Sequence, residues 1–289
     1  MEVITTQETL AKTLDSLRSQ GKTIGLVPTM GALHSGHASL VRRSIEENDI
    51  TVVSIFVNPT QFNDIRDLES YPRDIEADKA LLQQIGASIA FIPSVKEMYP
   101  EPDTRQFSFP PVDTVMEGAR RPGHFNGVCQ IVSKLFYAVK PNRAYFGEKD
   151  FQQIAVIKAM VKHLDIPVKI CPCPIVRQDD GLARSSRNAL LTDQERIVAT
   201  YIYKTLSKSR EYAKTHSINE TISFVTETLN AIPSLKVQYF EIVDGLSMQS
   251  VSNWEDSDFI VGCITVFCGH LPVRLIDNIK YKENSDRPC

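Results

Sequence analysis

Two histidines three residues apart, His34 and His37, stand in the glycine-containing stretch "VPTMGALHSGHASLV" (27–41). At a helix start this spacing turns both rings the same way, so that they can meet one ligand. Gly31 and Gly36 allow backbone turns closed to other residues. Three chemistries fit: a metal site, a phosphate cradle in which unpaired N–H groups and the helix dipole favour an anion, or a packed structural turn. A metal needs a further donor, and His124, His163, His216 and His270 are scattered. A Walker A loop does not fit, because "GKT" at 21–23 has no glycine upstream and precedes the strand it should follow.

Further stretches carry groups suited to phosphate or to a small acid. In "GEKDFQQ" (147–153), Gly147 permits close backbone approach, Lys149 offers a positive charge, Asp150 an acceptor, and Gln153 follows within one turn. In "LARSSRN" (182–188), Ser185 and Ser186 lie between Arg184 and Arg187, a donor-rich loop with little apolar surface to bury. "SIFVNPTQF" (54–62) brings the neutral amides of Asn58 and Gln61 to the end of a strand, where they can bond carboxylate or hydroxyl groups. "EGARRPGHFNGV" (117–128) supplies Glu117, Arg121 and His124, either as a turn held by polar side chains or as catalytic groups.

The elements that must position these residues follow from periodicity. Strand-like runs at 23–27, 50–57, 88–93, 143–146 and 168–176 alternate with helical stretches, after a short strand and an amphipathic helix carrying Leu10, Leu14 and Leu17. Such alternation predicts a Rossmann-like, doubly wound parallel sheet, with the opening stretch at the carboxyl end of a strand, where ligands bind. From about residue 178 the character changes to two helical stretches (about 192–215 and 217–231) and three strand-like runs (236–244, 258–268, 272–279). The expected organisation is α/β: a Rossmann-like ligand-binding domain over 1–177 and a smaller α+β C-terminal lid domain over 178–289. The tail "KENSDRPC" reads as frayed.

Composition narrows the partners. With 42% hydrophobic and 23% charged residues and a net charge of −3, the chain reads as globular. It carries no basic footprint for nucleic acid or anionic membrane. No apolar run is long enough to span a bilayer and no signal peptide is evident. Cysteines 129, 171, 173, 263, 268 and 289 form no C-x-x-C pair, which predicts reduced structural thiols in a cytoplasmic protein.

H-x-G-H after the first strand of the wound sheet, with a Ser-Ser-Arg loop at its far end, resembles the nucleotidyltransferase superfamily related to class I aminoacyl-tRNA synthetases. The strings "PTMGALHSGHASLV", "SIFVNPTQF", "EGARRPGHFNGV", "YFGEKDFQQ" and "DGLARSSRN" narrow this. In order and spacing they resemble the pantothenate synthetase (pantoate–β-alanine ligase) family, from about residue 20 to 195. The resemblance implies ATP-dependent condensation of (R)-pantoate with β-alanine, a step of vitamin B5 and coenzyme A biosynthesis. AMP and pyrophosphate leave by way of a pantoyl adenylate. It implies ATP with Mg²⁺ as substrate, no tightly bound organic cofactor, and a cytoplasmic homodimer.

By the same resemblance, ATP contacts fall on Met30, Gly31, Ala32, Leu33, His34, Ser35, Gly36, His37, Gly147, Glu148, Lys149, Asp150, Val176, Arg184, Ser185, Ser186 and Arg187. Among these, His37 matches the family's proton donor, with His34, Lys149 and Arg187 as further catalytic groups. Pantoate contacts fall on Gln61, Gln153 and Asn58, and Gln61 borders β-alanine. Arg184 replaces a methionine common in the family, which puts that contact in question. "NDIRDLE" (63–69) lies where the family has a mobile lid. No residue is assigned to a metal.

Two other functions use parts of the same pattern. A nucleotidylyltransferase acting on a phosphorylated alcohol would share H-x-G-H without needing the amides of Asn58, Gln61 and Gln153. A synthetase-like RNA-binding protein would need a basic C-terminal part, and residues 196–289 have no such excess.

Overall fold

The computed structural model describes residues 1–62 and 65–283, with residues 65 and 66 described by their backbone alone. In chain order its elements are β1 (Glu2–Ile4), α1 (Gln7–Ser19), β2 (Ile24–Thr29), α2 (Ser35–Glu47), β3 (Ile50–Ile55), α3 (Ile65–Ser70) and α4 (Ile75–Ile85). These are followed by β4 (Ile89–Phe91), α5 (Val95–Met98), α6 (Met116–Arg120), α7 (His124–Val139), β5 (Arg143–Gly147), α8 (Phe151–His163) and β6 (Lys169–Cys173). The rest of the chain adds α9 (Asp193–Tyr212), α10 (Ile218–Asn230), β7 (Leu235–Asp244), β8 (Phe259–Cys268) and β9 (Val273–Glu283).

Six strands form one parallel sheet in the order β1-β4-β3-β2-β5-β6. β2 lies between β3 and β5, so the connections after β2 and after β5 leave the sheet in opposite directions and open a crevice at their carboxyl ends. The turn after β2 and the loop after β5 therefore face one another. β6 is an edge strand, which lets it carry Pro172; Pro174, without an N–H, follows its end at Cys173, short of the expected 176. Leu10 and Leu14 of α1 are fully buried, and α7 is buried over most of its length in the same core.

β7, β8 and β9 form an antiparallel sheet. β8 is buried at every position except Phe267, because both of its faces are covered. One face meets residues of α9 and α10, such as Leu206 and Val225. On the other, Val261 and Cys263 pack with Met116 and Phe151 of the first layer. β9 continues past the expected end at residue 279: Lys280 is held by Glu148 and Glu283, so a polar stretch stays in the sheet. Lys282 and Glu283, expected in a frayed tail, belong to β9, and residues 284–289 lie outside the described residues.

No described helix is long and apolar enough to cross a membrane. Cys129, Cys171, Cys173, Cys263 and Cys268 are free and buried; Cys289 lies outside the described residues.

Candidate active site

β2 ends at Thr29, and the chain then enters left-handed backbone at Gly31 (φ 81°) and Ala32 (φ 49°). Gly31 is required twice over, since a Cβ there would stand 2.9 Å from Asp78 Oδ2. Asp78 of α4 accepts the Ala32 N–H at 3.0 Å and the Leu33 N–H at 2.7 Å, which fixes the turn from behind. α2 begins at Ser35, earlier than the expected start near His37, because His34 serves as its cap. His34 Nδ1 accepts the Gly36 N–H at 3.1 Å, and His37 Nδ1 accepts the His34 N–H at 3.3 Å.

This reciprocal capping has a chemical consequence. With both Nδ1 atoms accepting, each neutral ring carries its proton on Nε2. The rings lie 4.1 Å apart between centroids. Loss of water around His37, then His34 and Lys149, lowers its pKa to about 3; burial, then Lys149 and Arg184, lowers that of His34 to about 4. Near neutrality the pair is two uncharged N–H donors.

Most backbone N–H groups of this turn are engaged within the protein. Those of Ala32, Leu33, His34 and Gly36 all have partners inside the protein. The donors at this wall are side chains, and others reach it from the opposite side. Lys149 follows β5, with its ammonium 3.3 Å from Asp150. Ser186 donates to the Ala32 carbonyl at 3.1 Å, which ties the Ser-Ser-Arg loop to the turn. Arg184 has its Nε buried with no hydrogen-bond partner among the described residues. Arg187 donates to Asp67 of α3 at 2.9 Å.

Neutral amides occupy the other end of the cleft. Asn58 is 1% exposed and its amide is fully engaged: Nδ2 donates to Gln61 Oε1 (3.2 Å) and to the Gly127 carbonyl (3.0 Å). Its Oδ1 accepts from Tyr99 (2.8 Å) and Thr60 (3.2 Å). Asn58 thus orients Gln61, whose Nε2 lies 3.1 Å from Met30 Sδ. Gly127 permits this arrangement, since a Cβ there would collide with the Thr60 carbonyl. Gln153 lines the same cleft from α8.

The sequence profile of the Pantoate-beta-alanine ligase family matches residues 2–280. The chain belongs to this family. It is 63% identical over 284 residues to the pantothenate synthetase of Bacteroides fragilis strain YCH46, covering 98% of this chain and 100% of that one. The pantothenate synthetase of Caldicellulosiruptor bescii is 45% identical, with 96% and 98% covered. The crystal structure of pantothenate synthetase from Thermus thermophilus superposes with a TM-score of 0.90 at 41% identity, covering 98% and 100%. That of the pantoate-beta-alanine ligase from Francisella tularensis, complexed with beta-gamma ATP and beta-alanine, gives 0.82 at 36%, with 97% and 98% covered. Ligases of this family form pantothenate in an ATP-dependent reaction.

Within this ligase, Met30, His34, Gly36, His37, Gly147, Lys149, Asp150, Val176 and residues 184–187 line one cleft with Asn58, Gln61 and Gln153. Gly31, Ala32, Leu33 and Ser35 are not among its lining residues, and Glu148 turns to Lys280 of β9 at 3.0 Å. Sequence reasoning missed Asp78, Asp67 and Tyr71. Asp78 lies in the helical stretch "DIEADKALLQQIG", whose spacing does not set it apart; Tyr71, in "YPRD", lines the cleft beside Arg187. Of the expected lid, α3 covers Ile65–Ser70, while Asn63 and Asp64 lie outside the described residues. Among the described residues no group of His, Cys, Asp and Glu could hold a metal.

Proposed function

We propose that this cleft joins (R)-pantoate to β-alanine through a pantoyl adenylate. ATP would lie between the H-x-G-H turn and the Ser-Ser-Arg loop. A pantoate carboxylate oxygen attacks the α-phosphorus, the bond to the bridging oxygen breaks, and pyrophosphate leaves. The β-alanine amine then attacks the acyl carbon, loses a proton, and AMP departs as the new amide forms. The first step concentrates negative charge on the phosphoryl oxygens and the leaving group, which fixed donors in a dry cleft stabilise.

One observation carries the reading: the paired neutral imidazoles, Lys149, Arg184 and Arg187 converge on the cleft that ends in Gln61 and Gln153. His34 and His37 donate Nε2–H to phosphate oxygens; burial, His34 and Lys149 keep the His37 ring neutral, which suits it to stabilise charge as a hydrogen-bond donor. Lys149 and Arg187 neutralise the pyrophosphate, and Ser185 and Ser186 add hydroxyl donors. Arg184 is the cation whose unpartnered Nε awaits an acceptor. Gln61 and Gln153 bind pantoate, Gln61 borders β-alanine, and Asn58 acts through Gln61.

Mg²⁺ enters with ATP as part of the substrate. Residues 1–177 serve as the substrate-binding domain and 178–289 as its smaller cover, in a cytoplasmic homodimer. ATP–pyrophosphate exchange tests the reading. Exchange that requires pantoate is expected, and exchange that proceeds equally without it would overturn the assignment.

A further inference from the structure

The stretch 117–128 contributes no direct ligand contact to the reaction above, yet it holds a chain of buried and half-buried polar groups. Glu117, 9% exposed, sits at the boundary between the two sheets. Its carboxylate accepts both Arg274 nitrogens of β9, at 2.5 and 2.6 Å, together with Tyr239 of β7 at 2.8 Å and Thr265 of β8 at 3.0 Å. Burial alone would raise its pKa, and the Arg274 hydrogen bonds and charge overcome this and hold it down at about 2. Glu117 Oε2 also lies 3.7 Å from Arg121 Nη1.

Arg121 passes this order on. Its Nη1 is 3.2 Å from His124 Nε2, and His124 Nδ1 is 2.9 Å from the Gln61 carbonyl oxygen. A guanidinium only donates, so His124 Nε2 must accept. The ring is 7% exposed, its pKa lowered to about 4 by burial and then by Arg121. Its one proton therefore sits on Nδ1 and is donated to Gln61. A neutral imidazole in this tautomer is matched at both ends, and it clamps the peptide whose side chain faces the acid end of the cleft.

We infer that Glu117, Arg121 and His124 are positioning residues, and that through them the three-stranded sheet sets where the Gln61 amide stands. No member of the chain before Gln61 needs to touch substrate. Arg274, Tyr239 and Thr265 come from three strands, so the carboxylate of Glu117 is fixed by the sheet as a whole. Displacement of a binding amide by a fraction of an ångström weakens what it holds without altering the distant phosphate donors. The inference rests on the assignment of Gln61 to pantoate.

Steady-state kinetics on the full-length enzyme, with pantoate and ATP varied separately, test the relay. His124→Leu is expected to raise the KM for pantoate on the order of tenfold and leave that for ATP within about twofold. His124→Asn, whose amide can donate to the same carbonyl, should recover most of the loss. Tyr239→Phe leaves the Glu117–Arg274 pair in place, keeps a foldable sheet, and should give a smaller shift of about two- to threefold. Combined with His124→Leu it should add nothing, since both act along one chain. An unchanged pantoate KM in folded His124→Leu, no recovery in His124→Asn, or additive shifts in the double variant would each overturn the relay. Gln61→Ala separates the two readings: an unchanged pantoate KM there removes the assignment of Gln61 and the relay with it. A raised KM there beside a normal His124→Leu removes the relay alone.

Discussion

Asp67 of α3 holds Arg187, a residue that lines the cleft: Arg187 Nη2 donates to both carboxylate oxygens of Asp67, at 2.9 and 3.2 Å. Asp67 thereby holds the cation that the proposed reaction needs for phosphate. The pair is partly exposed and so worth at most about 1 kcal/mol. Asp67→Asn should free Arg187 and lower the KM for ATP by up to roughly fivefold. A rise in that KM would mean that Asp67 helps ATP to bind.

The tautomers of His34 and His37 make a second prediction. Neither ring titrates near neutrality, so single-turnover adenylate formation should show no inflection near pH 6.5, with His37 still neutral well below it. His37→Ala should slow that step by about 10²–10³. His37→Gln places an amide N–H near the lost Nε2–H and should keep part of the rate. An inflection near pH 6.5 that vanishes in His37→Gln would count against the neutral donor.

The same histidines link stability to pH. In the unfolded chain they take up protons near pH 6.5, while in the fold His34 and His124 do so only at about 4 and His37 at about 3. Their depressed values stabilise the fold fully above about pH 6.5, and this stabilisation is lost as pH falls towards 4 and 3. The melting temperature should therefore drop progressively on acidification below about pH 6.5. His124→Asn should make that drop shallower, and an unchanged slope would contradict the protonation argument.

Arg184 buries an Nε with no partner among the described residues. An unpaired donor costs free energy in the empty protein, and a hydrogen bond to a charged acceptor returns more. Arg184→Met should leave the melting temperature level or raised while increasing the KM for ATP on the order of tenfold. Loss of stability with unchanged ATP binding would show the side chain to be structural only.

How much of this was legible from residue order depends on distance along the chain. The turn after β2 announces itself locally, through Gly31 and the spacing of His34 and His37, and the apolar run of β8 marks a strand covered on both faces. The cap at His34 does not, because Ser, Thr, Asp and Asn are the usual signals and an imidazole acceptor reads as a ligand instead. Asp78 lies 45 residues from Leu33, too far for any local pattern to join them. Asn58 reads from the sequence as a neutral amide at the end of a strand, whereas its full set of internal hydrogen bonds requires Gly127 and Tyr99, brought in by other helices and loops. β9 outran its expected end at residue 279 because Lys280 finds a partner in Glu148 and Lys282 donates to the Trp254 carbonyl, neither of which any local pattern announces.

The buried thiols have a use of their own. Burial raises Cys129 and Cys263 to about 12 and Cys173 and Cys268 to about 11, so none is an effective nucleophile while the fold is closed. Cys129 and Cys173 belong to the layer of the parallel sheet, Cys263 and Cys268 to the antiparallel one. In a Cys289→Ser background, the rate at which each is alkylated becomes a clock for the opening of its own layer. The native buried thiols thus serve, without any added label, as separate reporters of whether the two sheets open together or one before the other.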